Sequence, residues 1–176
     1  PTRAWFLYLG TNGGGVYKSE SGSLTWAQSN SGLTSPYVFA LAVDPAEPDV
    51  VYAGTFDGVF RSSNGATTWT RASTGLPAGA VTSLQIDSSA PTVIYASVQD
   101  AGIYRSANSG ATWVAVSGTV PTAGATPLLL DHVQRRRSLR PRRLHASGDL
   151  MRLPGEKRLR SAKIVLDHVA RNHPQR

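Results

Sequence analysis

Apolar residues in this chain gather in short runs, and the runs return at a fixed distance. YVFALAV at 37–43 is followed by VTSLQI at 81–86 and TPLLL at 126–130. Leu41, Leu84 and Leu128 share one phase, and Val43, Ile86 and Leu130 share another two residues on, so one face of each run is apolar. A spacing of two places side chains on the same side of a pleated strand. A second set reads LYLGT at 7–11, VYAGT at 51–55 and IYASV at 94–98, with Leu7, Val51 and Ile94 two residues before Leu9, Ala53 and Ala96. A third reads GVYKS, GVFRS and GIYRS, each opened by a glycine (Gly15, Gly58, Gly102) where a hairpin must turn. The fourth begins at a tryptophan: TWAQS, TWTRA, TWVAV.

Independent positions keep the same period. Trp26, Trp69 and Trp113, Tyr8, Tyr52 and Tyr95, and Asp44, Asp87 and Asp131 are all spaced 43 or 44 residues apart. Four strands per period, tight turns and no intervening helical pattern predict one β-propeller blade per repeat. A β-sandwich also has short strands and frequent turns, but it needs no repeated sequence. The expectation is therefore an all-β chain: a partial propeller of about three four-stranded blades over residues 1–131. The array opens on the second strand of one blade, runs through two whole blades and supplies only the first strand of the next. Propellers close with roughly four to eight blades. The chain thus reads as a piece of a longer ring.

Between the third and fourth runs lies a recurrent turn. SANSGATW at 106–113, SSNGATTW at 62–69 and SESGSLTW at 19–26 share a serine, a polar turn, a threonine and the tryptophan. This resembles the Asp-box, or BNR-repeat, propellers, whose signature is Ser-x-Asp-x-Gly-x-Thr-Trp. Ser106, Asn108, Gly110, Thr112 and Trp113 fit it with asparagine in place of the acid. Ser62, Asn64, Thr68 and Trp69 fit with Ala66 at the glycine, whereas in the first copy only Ser19, Thr25 and Trp26 remain. The resemblance covers residues 5–131 and implies a structural role for these residues. The amide accepts backbone donors, the glycine takes a positive φ, and the indole folds back as an anchor.

Charge divides the chain where the repeat stops. Residues 1–130 carry Arg3, Lys18, Arg61, Arg71 and Arg105 against seven acids, while all four histidines and most of the basic groups follow. Six of the nine residues from Arg135 to Arg143 are arginine, and the tryptophan expected near 156 is Glu156. Residues 132–176 read as a basic tail, disordered or partly helical, with Leu159, Ala162, Leu166 and Val169 on one face of a helix over 156–171. An abrupt loss of period with arginine enrichment is also what a change of reading frame produces. Nucleic-acid binding by this tail ranks low, since no aromatic is there to stack a base.

The remaining chemistry is sparse. The chain has no cysteine, His132, His145, His168 and His173 lack ligand spacing, and no phosphate loop precedes a helix, so neither metal nor cofactor is expected. No run approaches the length of a membrane span. Catalytic groups should break the repeat symmetry, and the charges that do are Arg3, Arg71, Glu20, Glu47 and Asp49. They assemble no recognisable catalytic set, and no catalytic residue is assigned.

The resemblance extends to sortilin-type receptors and photosystem assembly factors, and it implies a non-catalytic scaffold presenting loops to a protein or glycan, outside the cell or in the periplasm. The rival it carries is a fragment of a secreted glycoside hydrolase of the xyloglucanase or sialidase type.

Overall fold

A computed structural model of the chain describes residues 6–20, 23 and 25–116. Strands form where the apolar runs predict them: β1 (Phe6–Thr11), β2 (Gly15–Glu20), β3 (Ala27–Gln28), β4 (Val38–Val43), β5 (Val51–Thr55), β6 (Gly58–Ser62), β7 (Thr70–Arg71), β8 (Val81–Ile86), β9 (Ile94–Val98), β10 (Gly102–Ser106) and β11 (Val114–Ala115). The described residues contain no helix. The strand expected at 126–130, the helix expected over 156–171 and the whole of 132–176 lie outside the described residues.

Each period folds into its own antiparallel meander. The sheets are β1-β2-β3, β4-β5-β6-β7 and β8-β9-β10-β11 in order. Equivalent residues pair in equivalent register: Leu41 faces Ala53 and Val43 faces Val51, as Leu84 faces Ala96 and Ile86 faces Ile94. Even the irregularity repeats, with a register shift between Val38 and Ala40 and again between Val81 and Ser83. Three antiparallel sheets of three or four strands, each built from one sequence period, make the all-β blade array that the periodicity predicts.

The fourth strand differs from expectation. It starts one residue after the tryptophan and pairs over only two residues in every blade. Side chains replace the missing ladder. Asn30 Oδ1 accepts the Val16 N–H at 2.7 Å, and the Ser73 hydroxyl accepts the Val59 N–H and donates to the Val59 carbonyl, both at 2.9 Å. The backbone therefore peels away early, free to reach the next blade.

The core lies between sheets. One cluster joins Tyr8, Val16 and Trp69 with Leu41, Val51 and Phe60 across the first two blades; the other joins Tyr52, Val59 and Trp113 with Leu84, Ile94 and Ala96 across the last two. An indole removes roughly 150–250 Å² from water, which at about 25 cal/mol per Å² stabilises by several kcal/mol as an upper bound. Trp69 and Trp113 are each 3% exposed, whereas Trp26 is 45% exposed. The motif alone makes the three look equivalent, but burial depends on the sheet before each one. Among the described residues no sheet precedes Trp26.

The links leading out of the first two blades run close against the next tryptophan. Trp69 N–H donates to the Ser31 carbonyl at 2.8 Å and Trp113 N–H to the Thr74 carbonyl at 2.9 Å. Gly32 and Gly75 follow these acceptors with φ of 90° and 89°, and a Cβ on either would collide with the tryptophan's own carbonyl oxygen. Both left-handed strain and overpacking therefore oppose any side chain there. Gly75→Ala is expected to cost about 3 kcal/mol by these two effects together, measured as a fall in the denaturant midpoint; an unchanged midpoint contradicts the close approach.

Candidate functional site

Every blade has two ends of different character. At one end lie the Ser…Trp turns and the links from first to second strand; at the other lie the hairpins between second and third strands and the links into each new blade. Each end is tied together by backbone bonds, such as Gly65 N–H to the Asp49 carbonyl at the first and Phe56 N–H to the Tyr37 carbonyl at the second.

The turn residues marked in the sequence form a closed hydrogen-bonded unit. Ser62 Oγ donates to Asn64 Oδ1 and accepts the Ala66 N–H, both at 2.9 Å; Asn64 Oδ1 also accepts the Thr68 N–H at 2.9 Å, and Asn64 Nδ2 donates to Thr68 Oγ1 at 2.8 Å. Ser106, Asn108, Gly110 and Thr112 repeat the pattern to within 0.1 Å. Ala66 adopts a φ of 66° where Gly110 has 83°, so the alanine accepts the left-handed geometry that the glycine takes freely. In the first copy, Ser23 stands in for the amide, sharing a 2.7 Å bond with Thr25 and accepting its N–H at 3.1 Å, while Ser19 is buried beside them. These groups are consumed in holding the turn.

The same end carries the polar contacts between blades. Lys18 Nζ donates to the Gly65 carbonyl at 2.8 Å and lies 3.8 Å from the centre of the Phe6 ring. Tyr52 OH donates to the Ser109 carbonyl at 3.0 Å and accepts from Arg61 Nε at 3.3 Å. Burial pushes the Tyr52 phenol above its ordinary value of 10.0, against the Arg61 guanidinium. Burial likewise lowers the Lys18 ammonium below 10.5, against the carboxylates of Asp49 and Glu20. Asp44 and Asp87 cap the link from first to second strand: Asp44 Oδ1 accepts the Ala46 N–H at 2.8 Å and Asp87 Oδ1 the Ser89 N–H at 2.9 Å. The repeated aspartates are turn caps, as their symmetry implies.

The hairpin end is different, because it holds residues that the scaffold does not require. Tyr37 is 47% exposed and Phe56 59% exposed, and Phe39, at the register shift of β4, is also exposed. Their counterparts one period later are Ala80, Thr82 and Gln99. The Phe56 N–H to Tyr37 carbonyl bond, at 3.2 Å, makes the two aromatics neighbours, and Tyr37 also bridges to Asn12 of the first blade's hairpin. Polar groups flank them: Thr34 Oγ1 donates to Asp57 Oδ2 at 2.8 Å beside Phe56. Sequence reasoning that looked only for charges out of register passed over these aromatics. The usable signal was the same one applied to ring side chains.

Of the charges that break the repeat, Asp49 lies near Gly65 and Lys18, Glu20 also faces Lys18, Glu47 is exposed in the link from β4 to β5, Arg71 is exposed on β7, and Arg3 lies outside the described residues. The described residues hold no group of three or more acidic or histidine side chains positioned for a metal ion. All four histidines lie outside them.

No family model and no curated protein matches the chain. Solved structures do. An ancestral GH74 enzyme aligns over 65% of this chain with a TM-score of 0.55 and 22% identity. The GH74 xyloglucanase of Xanthomonas campestris aligns over 65% with a TM-score of 0.50 and 26% identity. The chain spans 17% and 19% of those two proteins. These neighbours bear out the propeller-type fold.

The buried phenol sets a pH dependence. A folded-state value raised above 10.0 means that the contribution of Tyr52 is complete below the unfolded value and is lost as pH rises through the folded one. The lowered Lys18 acts with the opposite sign, so the comparison must isolate the tyrosine. Tyr52→Phe is expected to cost about 1 kcal/mol at neutral pH through the lost bond to Ser109, with the gap to the parent chain narrowing above pH 10. Urea titrations of both proteins across this range check it, and a constant gap contradicts it.

Proposed function

We propose that this chain is a non-catalytic propeller segment whose hairpin end binds a polysaccharide. The observation that carries this reading is the exposed pair Tyr37 and Phe56, set among Asn12, Thr34 and Asp57. The apolar face of a sugar ring stacks on an aromatic plane, while its hydroxyl groups need nearby donors and acceptors, and this end offers both. Exposed aromatics cost solubility, and the adjacent repeat folds with Ala80 and Gln99 in their places. The likeness to a xyloglucanase supports xyloglucan as the ligand.

On this reading the three Ser…Trp turns are Asp-box motifs of the BNR-repeat type, with Ser19, Thr25, Trp26, Ser62, Asn64, Thr68, Trp69, Ser106, Asn108, Gly110, Thr112 and Trp113 in a structural role. An extracellular location goes with a polysaccharide ligand. The rival reading is a portion of a glycoside hydrolase, and the GH74 neighbours favour it. A hydrolase needs two carboxyl groups across one glycosidic bond. Asp57 and Asp100 occupy equivalent hairpins in successive blades, as scaffold residues do, which favours binding over turnover within these blades.

Affinity electrophoresis in gels containing xyloglucan tests the proposal. The parent chain is expected to be retarded, and Tyr37→Ala or Phe56→Ala to weaken retention about tenfold, as loss of a central aromatic contact does. Equal retention of parent and variants, or no retention at all, contradicts it. Release of reducing sugar by the chain favours the hydrolase instead.

A further inference from the structure

We propose that Asn12 is a site of spontaneous covalent modification, where Gly13 closes on the side-chain amide and water then leaves an aspartyl or isoaspartyl residue in the first hairpin. This inference is independent of the glycan reading. The chain holds the same dipeptide twice, as Asn12-Gly13 and Asn64-Gly65. In both, the second residue has no Cβ to shield its backbone nitrogen or to stiffen its approach to the preceding side chain. What differs is how the fold holds each pair.

Asn64 is locked. Its Oδ1 accepts from Ser62 Oγ and from the Thr68 N–H, both at 2.9 Å, and its Nδ2 donates to Thr68 Oγ1 at 2.8 Å. Gly65 is buried, and its N–H donates to the Asp49 carbonyl at 2.8 Å. A Cβ on Gly65 would stand 3.1 Å from Lys18 Nζ and 3.5 Å from both Asp49 Oδ1 and the Tyr8 hydroxyl, so the turn has little room to rearrange. The carbon that would be attacked and the nitrogen that would attack it are each held in place.

Asn12 is the opposite case. It lies between β1 and β2 and is exposed, as Gly13 is. Its backbone bridges to Tyr37, but among the described residues no group bonds its side-chain amide. Asn30 and Asn108, the other described asparagines, are held through both amide atoms, as Asn64 is. Gly13 has a φ of 115°, and a Cβ there would meet a Tyr37 ring carbon at 3.9 Å and nothing nearer. The Gly13 N–H shares the Pro36 carbonyl with that of Gly15, at 3.1 Å against 2.8 Å, and makes the longer and weaker bond. Water and base therefore reach both reacting groups.

The chemistry needs only water. Once base removes the Gly13 amide proton, the nitrogen attacks Asn12 Cγ. The new N–Cγ bond forms, the Cγ–Nδ2 bond breaks, and the leaving nitrogen takes up a proton to depart as ammonia. A five-membered imide remains. Water opens it at either carbonyl: breaking the bond to Cγ gives aspartate, and breaking the bond to the backbone carbonyl carbon gives isoaspartate. Nothing is oxidised or reduced. Either product sets a carboxylate beside Tyr37, and isoaspartate also lengthens the backbone path through the turn.

Peptide mass spectrometry of the folded chain, held at mildly alkaline pH and sampled over time, tests the proposal. Trypsin separates the two pairs, Asn12 falling in 4–18 and Asn64 in 62–71, and neither peptide contains another asparagine or any glutamine. The amide-to-acid mass change is expected to accumulate in 4–18 at least about tenfold faster than in 62–71, because the hydrogen bonds on Asn64 must open before it can react. In concentrated urea, where neither turn persists, the two rates are expected to converge. Equal rates in the folded chain, faster conversion at Asn64, or a difference that survives urea unaltered overturns the proposal.

Discussion

The structure depends on how a tryptophan of one blade is held by the blade before it. Each buried indole donates through Nε1 to a carbonyl just past the preceding fourth strand, and its backbone N–H donates to another two residues further on. The acceptors lie where the backbone parts from its own sheet: the Ser29 and Ala72 N–H groups make the last bonds to β2 and β6, and the chain beyond them runs to the next blade, which accounts for the shortness of β3 and β7. The short strand and the buried ring are one device. The fourth strand gives up ladder bonds within its blade, Asn30 and Ser73 make good part of the loss, and the released segment caps the next blade's corner.

From this constraint follows the division of labour between the two ends of each blade. The end bearing the tryptophan turns is saturated: serine, asparagine and threonine satisfy one another, and lysine or tyrosine from the neighbouring blade takes the remaining carbonyl. Substitution there loosens packing. The hairpin end is joined by fewer side-chain bonds and tolerates variation, as Tyr37 and Phe56 against Ala80 and Gln99 illustrate. Loops carried on a rigid scaffold are where recognition is built, and here the scaffold is fixed from the opposite side.

Much of the fold is legible in the sequence because its signals are local. VTSLQI becomes β8 residue for residue, and the glycines at 15, 58 and 102 open β2, β6 and β10. The fourth strand is less legible, since a run such as TWTRA carries strand propensity along its length while the tertiary bond from Trp69 withdraws the tryptophan from the ladder. Trp26, 45% exposed among the described residues, shows a related limit. A motif specifies how a ring leaves its own turn, but only a neighbouring sheet buries it, and no local pattern records whether that sheet is there. The candidate site lay in plain view as a departure from period at 37, 39 and 56. It escapes a search that equates function with charge.

Exchange of the indole N–H protons, followed by nuclear magnetic resonance at a concentration where single chains predominate, tests this account most directly. The Trp69 and Trp113 signals are predicted to be strongly protected, each held by the carbonyl before it, and the Trp26 signal to exchange at nearly the rate of a free indole. Equal protection of all three, or rapid exchange at Trp69 and Trp113, would contradict the claim that each blade is fastened to its predecessor through its tryptophan.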